Sequence, residues 1–218
     1  MSDIPVDVLT QILLNHVVTG RNLSSELSTG YVNTLATYND TDLNLSMFIN
    51  TASGFRLNGV SSVVTPDINA TNGVVHVVDA VIGLPTVVTF ALADPTFDVL
   101  VSALTRETSF TFVNTLPTAN GASPAPFTVF APTNDAFVDL LSELSLTGLA
   151  DVPADVLAAT LAMHVADGAN VQAYGLSNNM SITTLGGNIT ANITGGATLT
   201  DSNNRVSNII YTNVQAAN

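Results

Sequence analysis

The spacing of apolar residues predicts four helices. The segment Pro5–Val18 places five residues on one helical face, with Pro5 in the first turn and Gly20 at the end. The segment Pro153–Ala166 has the same pattern. Two shorter amphipathic helices are predicted at Pro95–Leu104, with Asp94 as its N-cap, and at Thr133–Leu144. The five residues of the first face are Val8, Leu9, Ile12, Leu13 and His16.

Strands are predicted over much of the remaining chain. Apolar and polar residues alternate in Leu43–Asn50, Ile182–Leu185 and Ile189–Ile193, as in half-buried strands. More continuous apolar runs, typical of buried strands, are Val60–Val64, Gly73–Ile82 and Phe127–Phe130. Helices are few and strands are short, so the predicted fold class is α+β.

The chain contains an internal repeat. Residues 7–20 align with residues 155–168 at an offset of 148, and seven of these fourteen positions are identical. A second block, Val60–Asn72, aligns with Val206–Asn218 at an offset of 146. The sequence therefore predicts two copies of one module. Residues 1–85 are the back half of a first copy. Residues 86–218 are a second copy that lacks the counterpart of Gly73–Pro85.

This division leaves two arrangements open. In the first, residues 87–218 fold in their own order, and the first half-module stays loose or pairs with another chain. An exposed strand edge at Val206–Val214 would then favour homo-oligomers. In the second, Pro5–Pro85 packs on Val87–Leu149 as a permuted module. The uninterrupted order of residues 87–218 favours the first.

Composition excludes several classes of partner and of chemistry. The chain has 218 residues, no Lys, four Arg and 17 acidic residues, and its net charge of -13 disfavours nucleic acid and anionic lipid. Cysteine is absent, which excludes disulfides and thiol chemistry.

The mean hydropathy is +0.41, but the longest apolar stretch, Gly73–Ala93, is interrupted by His76, Asp79 and Pro85. We therefore expect no membrane insertion. The first nine residues have no signal-peptide pattern.

Two strings resemble the signatures of a known family. The string Pro126–Phe137 resembles the first signature of the fasciclin (FAS1) domain family, and Asn72–Pro85 resembles the second, a closing strand. The resemblance implies the FAS1 fold, a wedge-like β-sandwich of short strands with a small group of helices packed against it. It also implies an extracellular or cell-surface adhesion module that has no catalytic activity or cofactor and binds other surface or matrix proteins.

Most residues of the first signature suit a structural role. Phe127, Val129 and Phe130 would form a buried strand that Pro132 ends, after which Thr133, Asn134 and Asp135 would cap a helix. Phe137 would face inward from that helix. The signature is therefore interpreted as a strand–turn–helix unit.

Two sets of residues are candidates for binding. Pro66, Asp67 and Ile68 resemble the Asp-Ile segment that animal members of the family present to integrins, although they are also typical of a turn before a strand. The histidines His16, His76 and His164 are candidate binding or acid–base residues, or hydrogen-bonded structural residues. The family often has Tyr before the helix histidine, in a Tyr-His pair linked to adhesion. Here that position holds Asn15 or Met163, which weakens the transfer of this role.

No sequence motif indicates an enzyme or a metal site. The chain has no G-x-S-x-G, H-E-x-x-H, Walker or G-x-G-x-x-G sequence. The alternative function is a carbohydrate-binding module of a bacterial surface or secreted protein, because Asn, Thr and Asp side chains can bind sugar hydroxyls. The absence of Trp argues against it.

Overall fold

The computed structural model describes residues 4–39 and 41–218, so residues 1–3 of the first predicted module and Asp40 lie outside the described residues. The described chain divides into two compact units. The first comprises the residues up to Pro95 together with Val214–Ala217, and the second comprises Thr96–Asn213 and Asn218. Helices and antiparallel sheets occur in both, which confirms the α+β class.

The first unit is built on a five-stranded antiparallel sheet in the order β1-β2-β3-β4-β5. Its helices are α1 (Val6–Leu14) and α2 (Val87–Ala93). Its strands are β1 (Gly30–Thr37), β2 (Asn44–Asn50), β3 (Arg56–Leu57), β4 (Ser61–Ala70) and β5 (Gly73–Val78). The first predicted helix and the strands predicted at 43–50, 60–64 and 73–82 are present, but α1 ends at Leu14 instead of Val18 and β5 ends at Val78 instead of Ile82. Strand β1 and helix α2 were not predicted.

The expectation that the first half-module is loosely held was wrong. Phe48 is fully buried against Phe90 of α2 and Ala216, and the Tyr31 ring packs at an angle against both phenylalanine rings, with centroid distances of 4.9 and 5.4 Å. The segment Val214–Ala217 belongs to the same core, because Gln215 exchanges hydrogen bonds with Ser46. Both faces of β2 are consequently buried, and the predicted alternation of exposure along this strand is also wrong.

The second unit combines four helices with two antiparallel sheets of short strands. Its helices are α3 (Asp98–Leu104), α4 (Phe112–Thr115), α5 (Asn134–Glu143) and α6 (Ala154–Ala162). Strands β6 (Phe127–Val129) and β7 (Val165–Asp167) pair with each other, and a four-stranded sheet has the order β11-β10-β9-β8. The members of that sheet are β8 (Met180–Thr184), β9 (Gly187–Asn192), β10 (Thr198–Thr200) and β11 (Val206–Asn208).

Of the two helix caps predicted near the second unit, one is confirmed and one is wrong, and the helix predicted over Pro153–Ala166 ends at Ala162 because Val165–Asp167 form β7. Thr133 is the N-cap of α5, and its hydroxyl accepts a hydrogen bond from the Ala136 amide at 3.3 Å. Asp94 does not cap α3 as predicted: a 3₁₀ turn at Pro95–Phe97 precedes this helix, and Asp94 is buried and accepts a hydrogen bond from the Tyr31 hydroxyl.

Two expectations about the apolar segments can be compared with the structure: the burial of one strand and the absence of a membrane span. The run Gly73–Ile82 was predicted to be largely buried, but Val75, Val77 and Val81 are exposed and only Ile82 is fully buried. In the part of the chain that the structure describes, no single helix is long and apolar enough to cross a membrane, although Val87–Ala93 and Pro95–Leu104 pass on length and composition when counted together.

Candidate functional site

The candidate site is the hairpin formed by β4 and β5. Ile68 lies opposite Val75 and Thr65 lies opposite Val77, with register shifts on both sides of Thr65. The shift between Thr65 and Ile68 accommodates Pro66 and Asp67, and Asp67 has a φ of 61°. Such a bulge turns side chains away from the regular pleat. The hairpin thereby exposes four apolar side chains: Val64, Ile68, Val75 and Val77.

Asp67, the acidic residue of the predicted binding segment, is held by an internal contact. Its carboxylate accepts hydrogen bonds from the Ser24 amide at 2.8 Å and from the Ser24 hydroxyl. These bonds, the hydroxyl first, lower the pKa of Asp67 below its usual range. The side chain is still about a third exposed, at 34%. Asp67 therefore ties a distant loop to the hairpin and stays ionised at neutral pH.

His76 holds the same loop from β5. Its Nδ1 accepts the Asp67 amide proton at 3.3 Å, and its Nε2 lies 2.8 Å from the Asn22 carbonyl oxygen. Because an amide can only donate and a carbonyl can only accept, these contacts fit a ring that accepts on Nδ1 and donates on Nε2. His76 thus fixes the backbone of the bulge.

The proximity of Ser24, Asp67 and His76 does not form a nucleophile with its base. The Ser24 hydroxyl donates to Asp67 rather than to the histidine, and both nitrogens of His76 are engaged with backbone groups. In a catalytic triad the imidazole accepts the serine proton and the aspartate binds the other ring nitrogen. The arrangement here stabilises a loop and does not activate the hydroxyl.

His16 and His164 occupy the same place in the two repeats and make the same contact. The Nδ1 of His16 lies 2.7 Å from the Ile12 carbonyl oxygen, and the Nδ1 of His164 lies 2.8 Å from that of Thr160. His16 also accepts the Ile82 amide proton on Nε2 at 3.0 Å. Burial lowers the pKa of His164. Both rings therefore anchor the end of their own helix.

The residues of the first signature lie together in the second unit. Phe127 and Phe137 are buried, and Val129 and Phe130 are partly buried. The Phe130 amide donates to the His164 carbonyl, and the Asn134 side chain accepts the Val99 amide proton at 2.9 Å. Pro132 lies between β6 and the Thr133 cap, and Asp135 occupies the first turn of α5. These contacts join a strand, a turn and a helix.

Sequence reasoning missed the loop residues and most of the exposed hairpin face. Ser24 and Asn22 lie more than 40 residues from their partners Asp67 and His76, so no local pattern connects them. Across residues 4–39 and 41–218, no group of three or more His, Asp or Glu side chains is arranged to hold a metal ion.

The chain is similar to known proteins both in sequence and in fold. The sequence profile of the Fasciclin domain matches residues 5–85 and 95–218. Curated proteins give no match. Among solved structures, the chain is similar to a FAS1 domain pair from the insect cell adhesion molecule fasciclin I, at 18% sequence identity and a TM-score of 0.56. That similarity covers 95% of this chain and 75% of that one, and at this identity it concerns the fold.

The two profile matches fall on the two copies of the repeat and together span most of the chain. The protein therefore belongs to the fasciclin domain family and contains this domain sequence twice in tandem.

Proposed function

We propose that the chain is an extracellular or cell-surface adhesion module that binds a surface or matrix protein and catalyses no reaction. Family membership supports the general class, and the similar solved structure comes from a cell adhesion molecule. The observation that carries the proposal is the exposed apolar face of the β4–β5 hairpin. Exposed, contiguous apolar side chains on a folded surface mark interaction sites.

The hairpin suits binding because it is fixed before a partner arrives. Asp67 and His76 hold the bulge through Ser24, the Asp67 amide and the Asn22 carbonyl. A surface ordered in advance loses little conformational entropy on association. In this proposal Ile68 and Val75 contact the partner, whereas Asp67 and His76 are positioning residues, and Pro66 contributes to the bulge.

The charge of the chain restricts the partner. A net charge of -13 with only four Arg repels acidic surfaces over about 8 Å at physiological ionic strength. The proposed partner is therefore a protein with an apolar patch in a neutral or basic surrounding. Nucleic acid and anionic membranes are disfavoured for the same reason.

A binding panel with matched variants tests this function. Purified matrix proteins and whole cells are presented to the immobilised chain, and binding is compared for Ile68→Ala, Asp67→Asn and Leu92→Ala. Leu92 is an equally apolar, exposed residue of the same unit outside the hairpin. We expect Ile68→Ala to weaken binding about tenfold, Asp67→Asn to weaken it less, and Leu92→Ala to leave it unchanged.

The panel also defines the contrary results. Binding that survives Ile68→Ala with an unchanged circular dichroism spectrum would assign the segment 66–68 to a turn alone. Turnover of a substrate in a broad hydrolase screen would refute the proposal that the chain catalyses no reaction. Asn is chosen at position 67 because it tolerates a positive φ and retains one acceptor oxygen.

A second candidate function is carbohydrate binding. Asn50, Arg56 and Ser62 lie side by side across three neighbouring strands, at a groove of about 280 Å³ that is also lined by Ser53 and Phe55. Amide, hydroxyl and guanidinium groups beside an aromatic ring suit a sugar. Selective binding to one class on a glycan array, lost on Arg56→Ala, would favour this candidate over protein adhesion.

We further propose that β11 is the strand edge through which the chain self-associates. All three residues of β11 are exposed, and β11 is an outer strand of the four-stranded sheet. An unpaired edge of this kind can add a strand from another molecule. Sedimentation should detect a dimer in the wild type and a monomer in Val206→Lys, and a wild-type monomer at all concentrations would refute this proposal.

A further inference from the structure

The chain contains three Asn-Gly sequences, at residues 58–59, 72–73 and 120–121. In such a pair the backbone nitrogen of the glycine can attack the asparagine side chain, because glycine has no Cβ to obstruct the approach. Reacting groups that are already held against each other react much faster than groups that must first be brought together. The local structure therefore decides which of the three pairs reacts.

The pair at 58–59 is held by its surroundings. Asn58 is only 2% exposed, and its Oδ1 accepts the Phe48 amide proton at 2.7 Å. The backbone of Gly59 lies so close to Ala93 that a Cβ added there would be 3.2 Å from it. The Asn58 side chain is therefore engaged by β2 and shielded from the water that the reaction consumes.

The pair at 72–73 is held by strand pairing. Asn72 lies in the turn between β4 and β5, and Gly73 is the first residue of β5 and pairs with Ala70. To attack the Asn72 side chain, the Gly73 nitrogen would have to leave the backbone geometry of this pairing. The hairpin therefore opposes the reaction even though Asn72 is exposed.

The pair at 120–121 already has its reacting groups in contact. The Gly121 amide donates to Oδ1 of Asn120 at 2.9 Å. Because Oδ1 is bonded to Cγ, this contact also brings the Gly121 nitrogen near the carbon that it would attack. Gly121 is exposed, has a φ of 84°, and has open space where a Cβ would lie. Neither steric hindrance at the glycine nor exclusion of water opposes the reaction here.

We propose that Asn120 is a site of spontaneous deamidation, in the loop between α4 and β6. The Gly121 nitrogen gives up its proton and bonds to Cγ of Asn120, and the side-chain nitrogen leaves as ammonia, so that a cyclic succinimide forms. Water then opens the ring on either side of the Gly121 nitrogen and leaves aspartate or isoaspartate at position 120. Either product adds a negative charge to a chain of net charge -13, and isoaspartate also inserts an extra carbon into the main chain.

The consequence of the reaction should be local. The Ala122 amide donates to the Ala119 carbonyl at 3.2 Å, and the Ala125 amide donates to the Ala122 carbonyl at 2.9 Å. An extra main-chain carbon at position 120 lies inside the first of these turns, so the Ala122 amide should exchange its hydrogen faster in the isoaspartate product. The proposal concerns the chemistry of this loop and does not depend on the role of the β4–β5 hairpin.

Peptide mapping of the aged chain tests the proposal. The purified chain is incubated at mildly alkaline pH, once folded and once in urea, and is then cleaved with chymotrypsin. Cleavage after Phe112 and Phe127 gives a peptide that contains Asn120 and a control asparagine, Asn114, which Thr follows. By mass spectrometry, we expect Asn120 to convert at least about tenfold faster than Asn114 and the other two Asn-Gly pairs in the folded chain. In urea, where the fold no longer positions the groups, the three pairs should convert at similar rates.

Two glycine variants provide matched controls. Gly121→Ala places a Cβ beside the reacting nitrogen and should slow the conversion of Asn120 about tenfold or more. Gly73→Ala, at another glycine with open space at its Cβ position, should leave the conversion of Asn120 unchanged. Conversion in the folded chain that is as fast at Asn72 as at Asn120 would overturn the proposal, and so would conversion of Asn120 in urea alone.

Discussion

The repeat provides an internal control for the energetics of packing. Leu161 in α6 is 2% exposed, and its counterpart Leu13 in α1 is 61% exposed, so the change to Ala can be made at one repeat position in two environments. At Leu161 the change removes a fully buried side chain and leaves a cavity, which costs about 2–5 kcal/mol.

At Leu13 the same change should cost far less. Only about two-fifths of the side chain is buried, so the lost transfer free energy is a similar fraction of about 1.5–3 kcal/mol, or roughly 1 kcal/mol or less. No closed cavity forms at an exposed position, and Ala is the slightly better helix former. The expected difference in free energy of unfolding between the two variants is therefore at least about 1 kcal/mol, and more when the cavity at Leu161 fails to collapse.

Urea denaturation followed by far-ultraviolet circular dichroism measures this difference, because the chain has no Trp for fluorescence. The curves are fitted to separate transitions for the two units, since two-state behaviour is not assured in a chain of two units. Leu157→Ala and Leu9→Ala form a second pair that should behave in the same way. Equal losses at Leu161 and Leu13 would refute the conclusion that α1 lacks the cover that α6 has.

Further predictions concern single side chains. Since burial lowers the pKa of His164 below that of the unfolded chain, the unfolded state takes up a proton first as the pH falls through about 6.5, and stability is lost from there downward. Denaturation midpoints at several pH values should show less of this loss in His164→Gln, and an unchanged loss in that variant would contradict this. Buried Asn15 donates to the Gly83 carbonyl at 3.0 Å and accepts from the Thr34 hydroxyl. Asn15→Met, which introduces the residue of the second repeat, should lower the free energy of unfolding by about 1–3 kcal/mol in urea denaturation. An unchanged midpoint would contradict this. Thr86 caps α2 with a capping box. Thr86→Ala should lower the free energy of unfolding by about 1 kcal/mol in the same assay. An unchanged free energy would show that this cap does not stabilise the folded chain.

Elements with strong local signals could be predicted from the sequence. Helices α1, α5 and α6 are marked by Pro or Thr at their start and by a helical apolar period, and β8 and β9 alternate as expected. Strand β1 mixes Asn and Thr with apolar residues and gives no clear period. Helix α2 is rich in β-branched residues and depends on its Thr86 cap and on the packing of Phe90.

Exposure was harder to predict because it depends on what lies opposite. The apolar run of β5 was predicted to be buried, yet β5 is an outer strand and exposes Val75 and Val77. The alternating pattern of β2 suggested one exposed face, but α2 and Val214–Ala217 cover it. Hydrophobicity describes what a segment can bury, whereas the neighbours decide what it does bury.

The candidate site was predictable only in part. Pro66, Asp67 and Ile68 stood out through a resemblance and a turn pattern, and they do lie at a bulge of the hairpin. The contacts that fix this bulge come from Ser24 and Asn22, in a loop that is remote in sequence. Such contacts depend on the tertiary fold, so no local sequence motif predicts them.

The most direct test of the proposed function is the force needed to detach beads coated with the chain from the surface that binds it in the panel. Val75 lies opposite Ile68 at the centre of the exposed hairpin face. A charge there should cost about 2 kcal/mol, or roughly 30-fold in affinity. We predict that Val75→Asp abolishes most of the adhesion, while Leu92→Asp keeps it. Full adhesion by a folded Val75→Asp variant would contradict the assignment of binding to this hairpin.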